Sequence, residues 1–234
     1  MAIPRFIGKE ENGYIFIEGD EYHHAKVRRV RVGSTVEIND LQGNVYKAKI
    51  TDIQKKYIKG VVLEKVVQEE EKLKINLYLC MPNHLSKVDD LIESISELGV
   101  YSLIPVISKY TAVKEKDILK KSKKWEKIAL NSIKQCKRLF PLKIEKPIKI
   151  DHIKPEGEYR FVFYEKEKEK KLKEYFGKKG EKIDLLIGAE GGLTQEEILK
   201  LKTLGFETIS LGKNILRMET AVITAVCQVR FIFD

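Results

Sequence analysis

Short runs in which hydrophobic and polar residues alternate fill the first third of the chain. The runs YIFI, STVEIND, NVYKAKI and YIKGVVL are separated by Gly, Asn and Asp. Alternation of this kind, bounded by turn-forming residues, is typical of strands with one buried and one solvated face. The pattern therefore predicts a small, barrel-like β domain between Pro4 and Val67.

The pattern changes after the charged segment QEEEKLK. Five apolar runs, INLYLC, SLIPVIS, YRFVFY, IDLLIG and ETISLG, then alternate with segments of helical periodicity. This alternation is typical of an α/β domain. We therefore predict two domains, one over residues 1–70 and an α/β domain over residues 73–234.

The helical segments carry signs of their ends and environments. Ser86 with Asp89, and Thr194 with Glu197, have the spacing of capping boxes. The final segment, ETAVITAVCQVRFIF, is apolar on nearly all sides. Because a surface helix cannot expose so much apolar area, this helix is predicted to lie either centrally or at a dimer interface.

Charge favours a polyanionic partner without identifying one. The 234 residues include 44 Lys and Arg against 35 Asp and Glu, a net charge of +9. Such an excess favours nucleic acid through phosphate neutralisation. A surface rich in Lys–Glu ion-pair networks is the alternative, and composition alone does not decide between them.

The cysteines and the lengths of the apolar runs limit the possible classes of protein. Cys80, Cys136 and Cys227 are far apart in the chain, which favours neither a zinc site nor a disulfide framework. No apolar run approaches the length of about 20 residues that spans a bilayer, and the first residues lack the apolar core of a signal peptide. We therefore expect a cytoplasmic protein with reduced thiols and no metal.

A glycine-bearing turn follows the fourth of the apolar runs. In IGAEGGLT, Gly188, Gly191 and Gly192 allow the backbone to approach a ligand closely. Free N–H groups at the next helix start suit a polar or anionic group. The spacing matches neither GxGxxG nor a Walker A loop, which disfavours nucleotide triphosphates. On its own, an ordinary strand-to-helix turn explains the segment at least as well.

A second turn of the same kind follows in SLGKNILRMETA. Gly212 ends a strand run, and a helix is expected to begin near Glu219. Adjacent parallel strands would bring the two loops together at their carboxyl ends, where open α/β sheets bind ligands. Ile215 and Leu216 could hold a flat ring while Arg217 supplies a permanent charge, although Arg217 could instead pair with a surface carboxylate.

Together the two turns resemble the paired signature of the RsmE family, SPOUT-class methyltransferases that act on small-subunit ribosomal RNA. The segments HHAKVRRVRVG, KVDDLIESISELGV and WEKIALNSIKQC, and the strand ending in Tyr164 and Glu165, resemble further family blocks in the same order. The similarity covers nearly the whole chain. It implies a PUA-like β-barrel domain followed by an α/β SPOUT domain with a C-terminal trefoil knot, an exception to ordinary topology.

The resemblance also implies a cofactor and an assembly. S-adenosylmethionine is expected in the knot, between the two turns, and the protein is expected to be a homodimer with its active site near the interface. No metal is needed, because the sulfonium already activates the methyl group. The expected cofactor-contacting residues are Tyr164, Glu165, Gly188, Glu190, Gly191, Gly192, Leu211, Gly212, Ile215, Leu216 and Met218.

The family reaction is methylation of ring nitrogen N3 of a specific uridine in 16S ribosomal RNA. The N3 proton must leave, and charge then develops on the uracil carbonyl oxygens. Arg217 is the candidate for stabilising that charge. Glu190 and Glu219 are candidate proton acceptors, although a carboxylate near a helix start is equally typical of a cap.

Contacts to RNA are expected mainly from the β domain, where the segment KVRRVR concentrates positive charge. Phosphate contacts of this kind position a protein without specifying a base. The expected partner is small-subunit ribosomal RNA, within the assembled subunit. The candidate RNA-contacting residues are Arg5, His23, Lys26, Arg28, Arg29, Arg31, Gln135 and Arg138.

Several positions depart from common family usage, and the departures leave two alternatives open. Loss of a proline at Ala189 and in the GKN segment is expected to loosen both turns. One alternative is an RNA-binding ribosome assembly factor without transfer activity. The other is a SPOUT enzyme that modifies another base or RNA. The departures are Ala189 for proline, Lys213-Asn214 for Pro-Arg, Met218 for threonine, Lys134 for glutamate and Lys137 for glycine.

Overall fold

The structure, a computed structural model, describes residues 3–234 and divides into two compact units. The first contains the chain up to Glu70 together with Asn131–Pro141. The second contains Glu71–Leu130 and Leu142–Asp234. The grouping of Asn131–Pro141 with the N-terminal part of the chain is a feature that the sequence did not predict.

The first unit is built on a six-stranded sheet in the order β1-β4-β5-β6-β3-β2. The four predicted strands are confirmed as β3 to β6, and the pairing is antiparallel except between β1 and β4. The strands are β1 (Arg5–Ile7), β2 (Lys9–Glu11), β3 (Tyr14–Glu18), β4 (Thr35–Asn39), β5 (Val45–Ile53) and β6 (Tyr57–Val66).

A short helix, α1 (Gly19–Val27), covers this sheet and was not predicted. Only Tyr22 and Ala25 are buried on it, so the segment lacks the apolar stripe by which a helix is recognised in a sequence. These two side chains lie three residues apart on one helix face and join the core formed by Phe6, Ile15 and other strand residues.

A buried arginine organises the polar contacts of the first unit. Arg5, 5% exposed, donates from Nε to Glu37 Oε2 (3.0 Å), from Nη1 to the carbonyl of Lys137 (2.7 Å) and from Nη2 to Gln68 Oε1 (3.1 Å). Lys137 Nζ donates to the same Glu37 oxygen (2.8 Å). Burial acts to raise the pKa of Glu37, but Lys137 and Arg5 outweigh it and hold that pKa below its usual value.

The second unit contains a seven-stranded sheet in which every pair is parallel. The order is β10-β8-β7-β12-β11-β13, and β9 pairs with β8. All five strands predicted for this part of the chain are confirmed. The strands are β7 (Lys74–Cys80), β8 (Val100–Ile107), β9 (Lys143–Ile144), β10 (Ile148–Lys149), β11 (Tyr159–Phe163), β12 (Lys182–Ile187) and β13 (Glu207–Ile209).

Four helices cover this sheet: α2 (Ser86–Glu97), α3 (Glu115–Cys136), α4 (Gln195–Thr203) and α5 (Met218–Phe233). Side chains of α2, α3 and α5 share one core with alternate residues of β7, β11 and β12. Side chains of α4 share a second core with the intervening strand residues. The sheet is therefore buried on both faces, as expected for parallel strands.

One of the two predicted capping boxes is confirmed and the other is wrong. Thr194 caps α4, because its Oγ1 accepts from Glu197 N (3.2 Å) and the Glu197 carboxylate accepts from Thr194 N (2.8 Å). In α2, Ser86 is already helical and Leu85 caps without a side-chain bond. Asp89 instead turns to α3, where it accepts a hydrogen bond from Trp125 Nε1 (2.8 Å).

Two features of residues 3–234 concern membranes and metals. No helix there combines the length and the hydropathy needed to cross a membrane. In the same part of the chain, no group of three or more His, Cys, Asp or Glu side chains could hold a metal ion. The three cysteines are free thiols, with Cys80 buried and Cys227 exposed.

We expect Glu37→Gln to lower the free energy of unfolding at pH 7 by about 3 kcal/mol, since it leaves the Arg5 guanidinium buried without its counter-charge. The folded-state pKa of Glu37 is lowered, so its contribution is present above the usual value of 4.5 and is lost as the pH falls through the folded pKa. Urea unfolding followed by circular dichroism at pH 7 and pH 3 should show the two proteins converging at the lower pH.

Glu64→Gln is the matched control, because the Lys47–Glu64 pair (2.9 Å) is exposed and lies in the same sheet. We expect its loss to be within about 1 kcal/mol. Equal losses for the two variants at pH 7 would contradict the importance given to Arg5 and Glu37.

Candidate active site

A cavity of about 760 Å³ opens at the carboxyl ends of β11, β12 and β13. Most of its wall is formed by residues at and beyond the ends of these strands: 163–165, 187–192, 210–212, 214–219 and Ala221. A volume of this size is typical of sites for small molecules and cofactors. The edge of the sheet where it lies is the one at which parallel α/β sheets bind ligands.

The two glycine turns meet at this cavity although their strands are not neighbours. β11 lies between β12 and β13 in the sheet, which corrects the expectation of adjacent strands. The intervening strand contributes Phe163, Tyr164 and Glu165 to the cavity wall. Three loops rather than two therefore surround the cavity.

The first turn is closed by its own backbone. Gly192 N donates to the carbonyl of Ala189 (2.9 Å), and these residues form an isolated antiparallel bridge. Gly192 has φ +68°, and a Cβ there would come within 3.0 Å of Glu165 Oε1. A Cβ on Gly191 would lie 2.9 Å from the Cβ of Tyr110. Glycine is therefore required at both positions, by space at Gly191 and by conformation as well at Gly192.

The second turn presents a more open wall. Gly212 has φ +129°, and its N–H lies 3.3 Å from Ser210 Oγ, which accepts a hydrogen bond from it. Ile215 is 81% exposed, whereas Met218, the first residue of α5, is buried. This loop therefore offers both solvent-facing and buried apolar surface to a ligand.

The charged side chains of the wall comprise four carboxylates and two cations, so negative charge is in excess. Lys87, in the first turn of α2, donates to Glu190 Oε1 at 2.8 Å. This hydrogen bond raises the pKa of Lys87. Burial acts to raise the pKa of Glu190, but the bond from Lys87 outweighs it and lowers that pKa overall.

The other carboxylates differ in their environment. Glu167 accepts a hydrogen bond from Thr208 Oγ1 (2.7 Å), which together with backbone N–H groups lowers the pKa of Glu167. Glu219, in the first turn of α5, is half-buried and its side chain makes no hydrogen bond or ion pair with any described residue. Arg217, at the N-cap of α5, is exposed beside it.

The structure brings the predicted site residues of the α/β domain together. All eleven expected cofactor-contacting residues line this one cavity, and so do the candidates Arg217, Glu190 and Glu219. Sequence reasoning missed Lys87 and Glu167, which also line it. The N-terminal turn of α2 was interpreted as a cap, and nothing in the sequence indicated that it faces the two turns.

The candidate RNA-contacting residues differ in accessibility. Arg5 is buried among the partners described above, so its side chain is not available to RNA. Arg138 is half-buried. Lys26 is exposed, with Nζ 4.5 Å from the centre of the Tyr22 ring. The exposed candidates are His23, Lys26, Arg28, Arg29, Arg31 and Gln135.

Two departures from family usage have structural partners in the first unit. Lys134 Nζ forms an ion pair with Glu21 Oε1 at 2.6 Å. Lys137 adopts φ +64°, a conformation that favours glycine, and its Nζ donates to Glu37 and to the carbonyl of Ile3 (2.6 Å). These bonds offset the strain of a non-glycine residue in the left-handed region.

Comparison with known protein families gives two matches along the chain. Residues 69–230 match the RNA methyltransferase domain family, and residues 17–63 match the RNA methyltransferase PUA domain family. The first match covers the second unit's sheet, its helices and the cavity wall. The second covers α1, β4, β5 and most of β6 in the first unit.

Whole-chain relatives agree with both matches. The chain is 30% identical to ribosomal RNA small subunit methyltransferase E of Aquifex aeolicus, with 94% of this chain and 96% of the relative aligned. It is also 30% identical to the protein of the same name from Buchnera aphidicola (Acyrthosiphon pisum), with 99% and 94% aligned.

Solved structures share the fold. A Legionella pneumophila protein with the bound cofactor SAM superposes with a TM-score of 0.87 at 23% identity, over 99% of this chain and 98% of that one. Ribosomal RNA small subunit methyltransferase E of Neisseria gonorrhoeae, bound to S-adenosyl methionine, has a TM-score of 0.85 at 24% identity, over 98% and 97%. By its domain matches and its full-length relatives, the chain belongs to the ribosomal RNA small subunit methyltransferase E (RsmE) family of RNA methyltransferases.

Proposed function

We propose that this protein is an S-adenosylmethionine-dependent methyltransferase that methylates N3 of a specific uridine in small-subunit ribosomal RNA. The observation that carries the proposal is the convergence of three strand-end loops on one cavity, with every residue expected at the cofactor in its wall. Family membership supports the same reaction, because the relatives are named as small-subunit ribosomal RNA methyltransferases.

The cavity suits S-adenosylmethionine in size, charge and surface. Its volume of about 760 Å³ is sufficient for a nucleoside-sized ligand. The excess of carboxylates suits a ligand that carries sulfonium and ammonium groups. Ile187, Leu211 and Leu216 provide apolar surface for a flat purine ring, and the glycines allow close approach of backbone N–H groups.

The cofactor, when bound, supplies an electrophilic methyl group. Arg217 projects from the N-cap of α5 at the cavity wall, and its guanidinium makes no hydrogen bond with any described residue. It is therefore available to stabilise the negative charge that develops on the uracil carbonyl oxygens. We assign Arg217 this role.

Of the two candidate proton acceptors, Glu219 fits better than Glu190. Lys87 donates to Glu190 Oε1 at 2.8 Å and holds the pKa of Glu190 below its usual value, so this carboxylate is already engaged by a cation and is the poorer proton acceptor. Glu219 lines the cavity, and its carboxylate makes no hydrogen bond with any described residue, although Lys87 lies near enough to attract it. We assign the N3 proton to a carboxylate oxygen of Glu219, and to Glu190 an electrostatic role in the wall.

We also propose a homodimer formed through α5. Ile223, Cys227 and Phe231 follow one another at four-residue spacing and are all exposed. Phe176 packs edge-on against Phe231, with ring centres 5.6 Å apart, and is itself 63% exposed. A contiguous apolar strip of this kind is typical of an interface, and a second copy would cover it.

Two further properties complete the proposal. The expected trefoil knot rests on membership of the RsmE family. The PUA domain match supports RNA contacts from the exposed basic residues of the first unit. A cytoplasmic location is the prediction that accompanies a ribosomal substrate.

We expect Gly192→Ala to weaken S-adenosylmethionine binding at least about tenfold, measured by isothermal titration calorimetry. The added methyl group would crowd Glu165 across the cavity wall, at a residue with φ +68°. Gly177→Ala is the matched control, because Gly177 has φ +80°, no atom within 4 Å of the added Cβ, and no place in the wall. Wild-type affinity in Gly192→Ala would contradict the proposed position of the cofactor, and no binding by the wild-type protein would favour the assembly-factor alternative.

Arg217→Ala should reduce kcat by about 10² to 10³ while leaving the cofactor Kd within threefold, because the lost interaction acts mainly in the transition state. The measurement is transfer of labelled methyl groups to small ribosomal subunits that lack the modification. Lys213→Ala is the control, since Lys213 is an exposed cation of the same loop outside the cavity wall. Equal effects of the two substitutions on kcat would argue against the role given to Arg217, and a methylated nucleoside other than N3-methyluridine would support the second alternative.

Phe231→Glu should convert the protein to a monomer in sedimentation velocity at micromolar concentration, because it places a charge within the proposed interface. Leu199→Glu changes a leucine that is 59% exposed on α4 and should leave the dimer intact. A dimeric Phe231→Glu protein, or a monomeric wild-type protein, would refute an interface at α5.

A further inference from the structure

Helix α3 carries four lysines on a single exposed face. Lys116, Lys120, Lys123 and Lys127, here called the lysine stripe, are separated by four, three and four residues, which places them in one row along the helix. All four are exposed, whereas Ile118, Trp125 and Ala129, on the opposite face, are buried. At about 1.5 Å per residue the stripe is roughly 16 Å long.

None of the four lysines has an ion-pair or hydrogen-bond partner for its ammonium group anywhere in residues 3–234. Their neighbours Lys121 and Lys124, one residue away, both donate to Asp89 Oδ2, at 2.8 and 2.7 Å. The same helix thus has one set of lysines that stabilises its contact with α2 and another set that makes no such contact.

The lysine stripe works against the stability of its own helix. Lys116 and Lys120, and Lys123 and Lys127, are like charges at i and i+4, a spacing that destabilises a helix. Lys116 also lies in the first turn, where the helix dipole disfavours a cation. Stabilisation of the folded protein therefore does not explain why the four lysines lie in one row. Binding of an external polyanion does explain it.

The stripe is linked to the cavity through α2. Lys87, in the first turn of α2, contacts Glu190 in the cavity wall, and Asp89, two residues later, contacts α3 at Lys121 and Lys124. The first turn of α2 therefore contacts both the cavity wall and the helix that carries the stripe, and all three belong to the second unit.

We propose that the lysine stripe is a binding surface for the phosphate backbone of the substrate RNA. This inference rests on the proposed function insofar as RNA is the substrate, and it adds a contact surface in the methyltransferase domain itself. Lysine ammonium groups neutralise phosphates without reading bases, so the stripe would position the RNA rather than specify the uridine.

The test compares the dependence of RNA binding on salt among four proteins. They are the wild type, the K116Q/K120Q/K123Q/K127Q variant, its counterpart with arginine at the same four positions, and a K173Q/K178Q/K179Q/K202Q control. The control lysines are exposed, belong to the same unit, and have no side-chain partner in the described chain. Glutamine keeps the helix propensity of lysine, and circular dichroism checks that each protein is folded.

Fluorescence anisotropy with a labelled single-stranded RNA of mixed sequence gives the affinity at several KCl concentrations. We expect the stripe variant to bind at least about tenfold more weakly at low salt, and the slope of log K against log salt to become shallower by about 2 to 3, since each phosphate contact contributes about 0.7. The arginine variant and the control should keep the wild-type slope.

Three outcomes would overturn the proposal: equal slopes in the stripe and control variants, loss of RNA binding in the arginine variant, or unchanged RNA binding with lost affinity for vesicles containing anionic lipid. Calorimetry with S-adenosylmethionine separates this inference from the proposed function. If the wild-type protein binds RNA but not the cofactor, the enzymatic proposal fails while the salt slopes still decide the role of the stripe.

Discussion

Parallel pairing of β11, β12 and β13 is the constraint on which the candidate site depends. Parallel strands all end at the same edge, so the three loops that follow them must meet there whatever their order in the chain. The glycines make this meeting possible, because Gly191 and Gly192 allow the β12 loop to lie against Tyr110 and Glu165 without a clash. The cavity is thus a consequence of topology, and the loop residues determine its chemistry.

The first turn of α2 extends this arrangement to the rest of the second unit. Lys87 contacts the cavity wall at Glu190, and Asp89 holds Trp125 and two lysines of α3. Because Trp125 is fully buried in the same core as the strands, movement of α2 would disturb both the wall and the packing of α3. The electrostatics of the site and the packing of the domain are therefore coupled through one helical turn.

Sequence patterns were sufficient for most of the fold because the relevant signals are local. Alternation and apolar runs gave nine strands, and the Thr194–Glu197 box gave the start of α4. Helix α1 was missed because two buried side chains make no stripe. The cap predicted at Ser86 and Asp89 was wrong. The Asp89 carboxylate instead accepts a hydrogen bond from Trp125 Nε1, 36 residues away in the chain. Contacts between residues so far apart in the chain produce no periodic pattern in the sequence.

The candidate site shows the same division between local and distant information. The glycine turns and Arg217 were found from local spacing and family resemblance, and they line one cavity. Lys87 lies 103 residues from Glu190, so their ion pair could not be inferred from either segment alone. Arg5 was misjudged for a related reason, since a basic residue near a chain terminus normally suggests the surface. Only the fold supplies Glu37 and the Lys137 carbonyl, which make its burial tolerable.

The structure also explains why composition could not decide between ion-pair networks and a polyanionic partner. Both uses of lysine occur in this chain, and they are distinguished by partners rather than by number. Some lysines form ion pairs with carboxylates inside the protein, as do Lys121, Lys124 and Lys134. The four lysines of the stripe have no such partner among the described residues. Their ammonium groups repel one another along α3 and are exposed to solvent. An excess of positive charge indicates a polyanionic partner only where the fold leaves basic side chains unpaired and aligned on one surface. Net charge alone does not measure this condition.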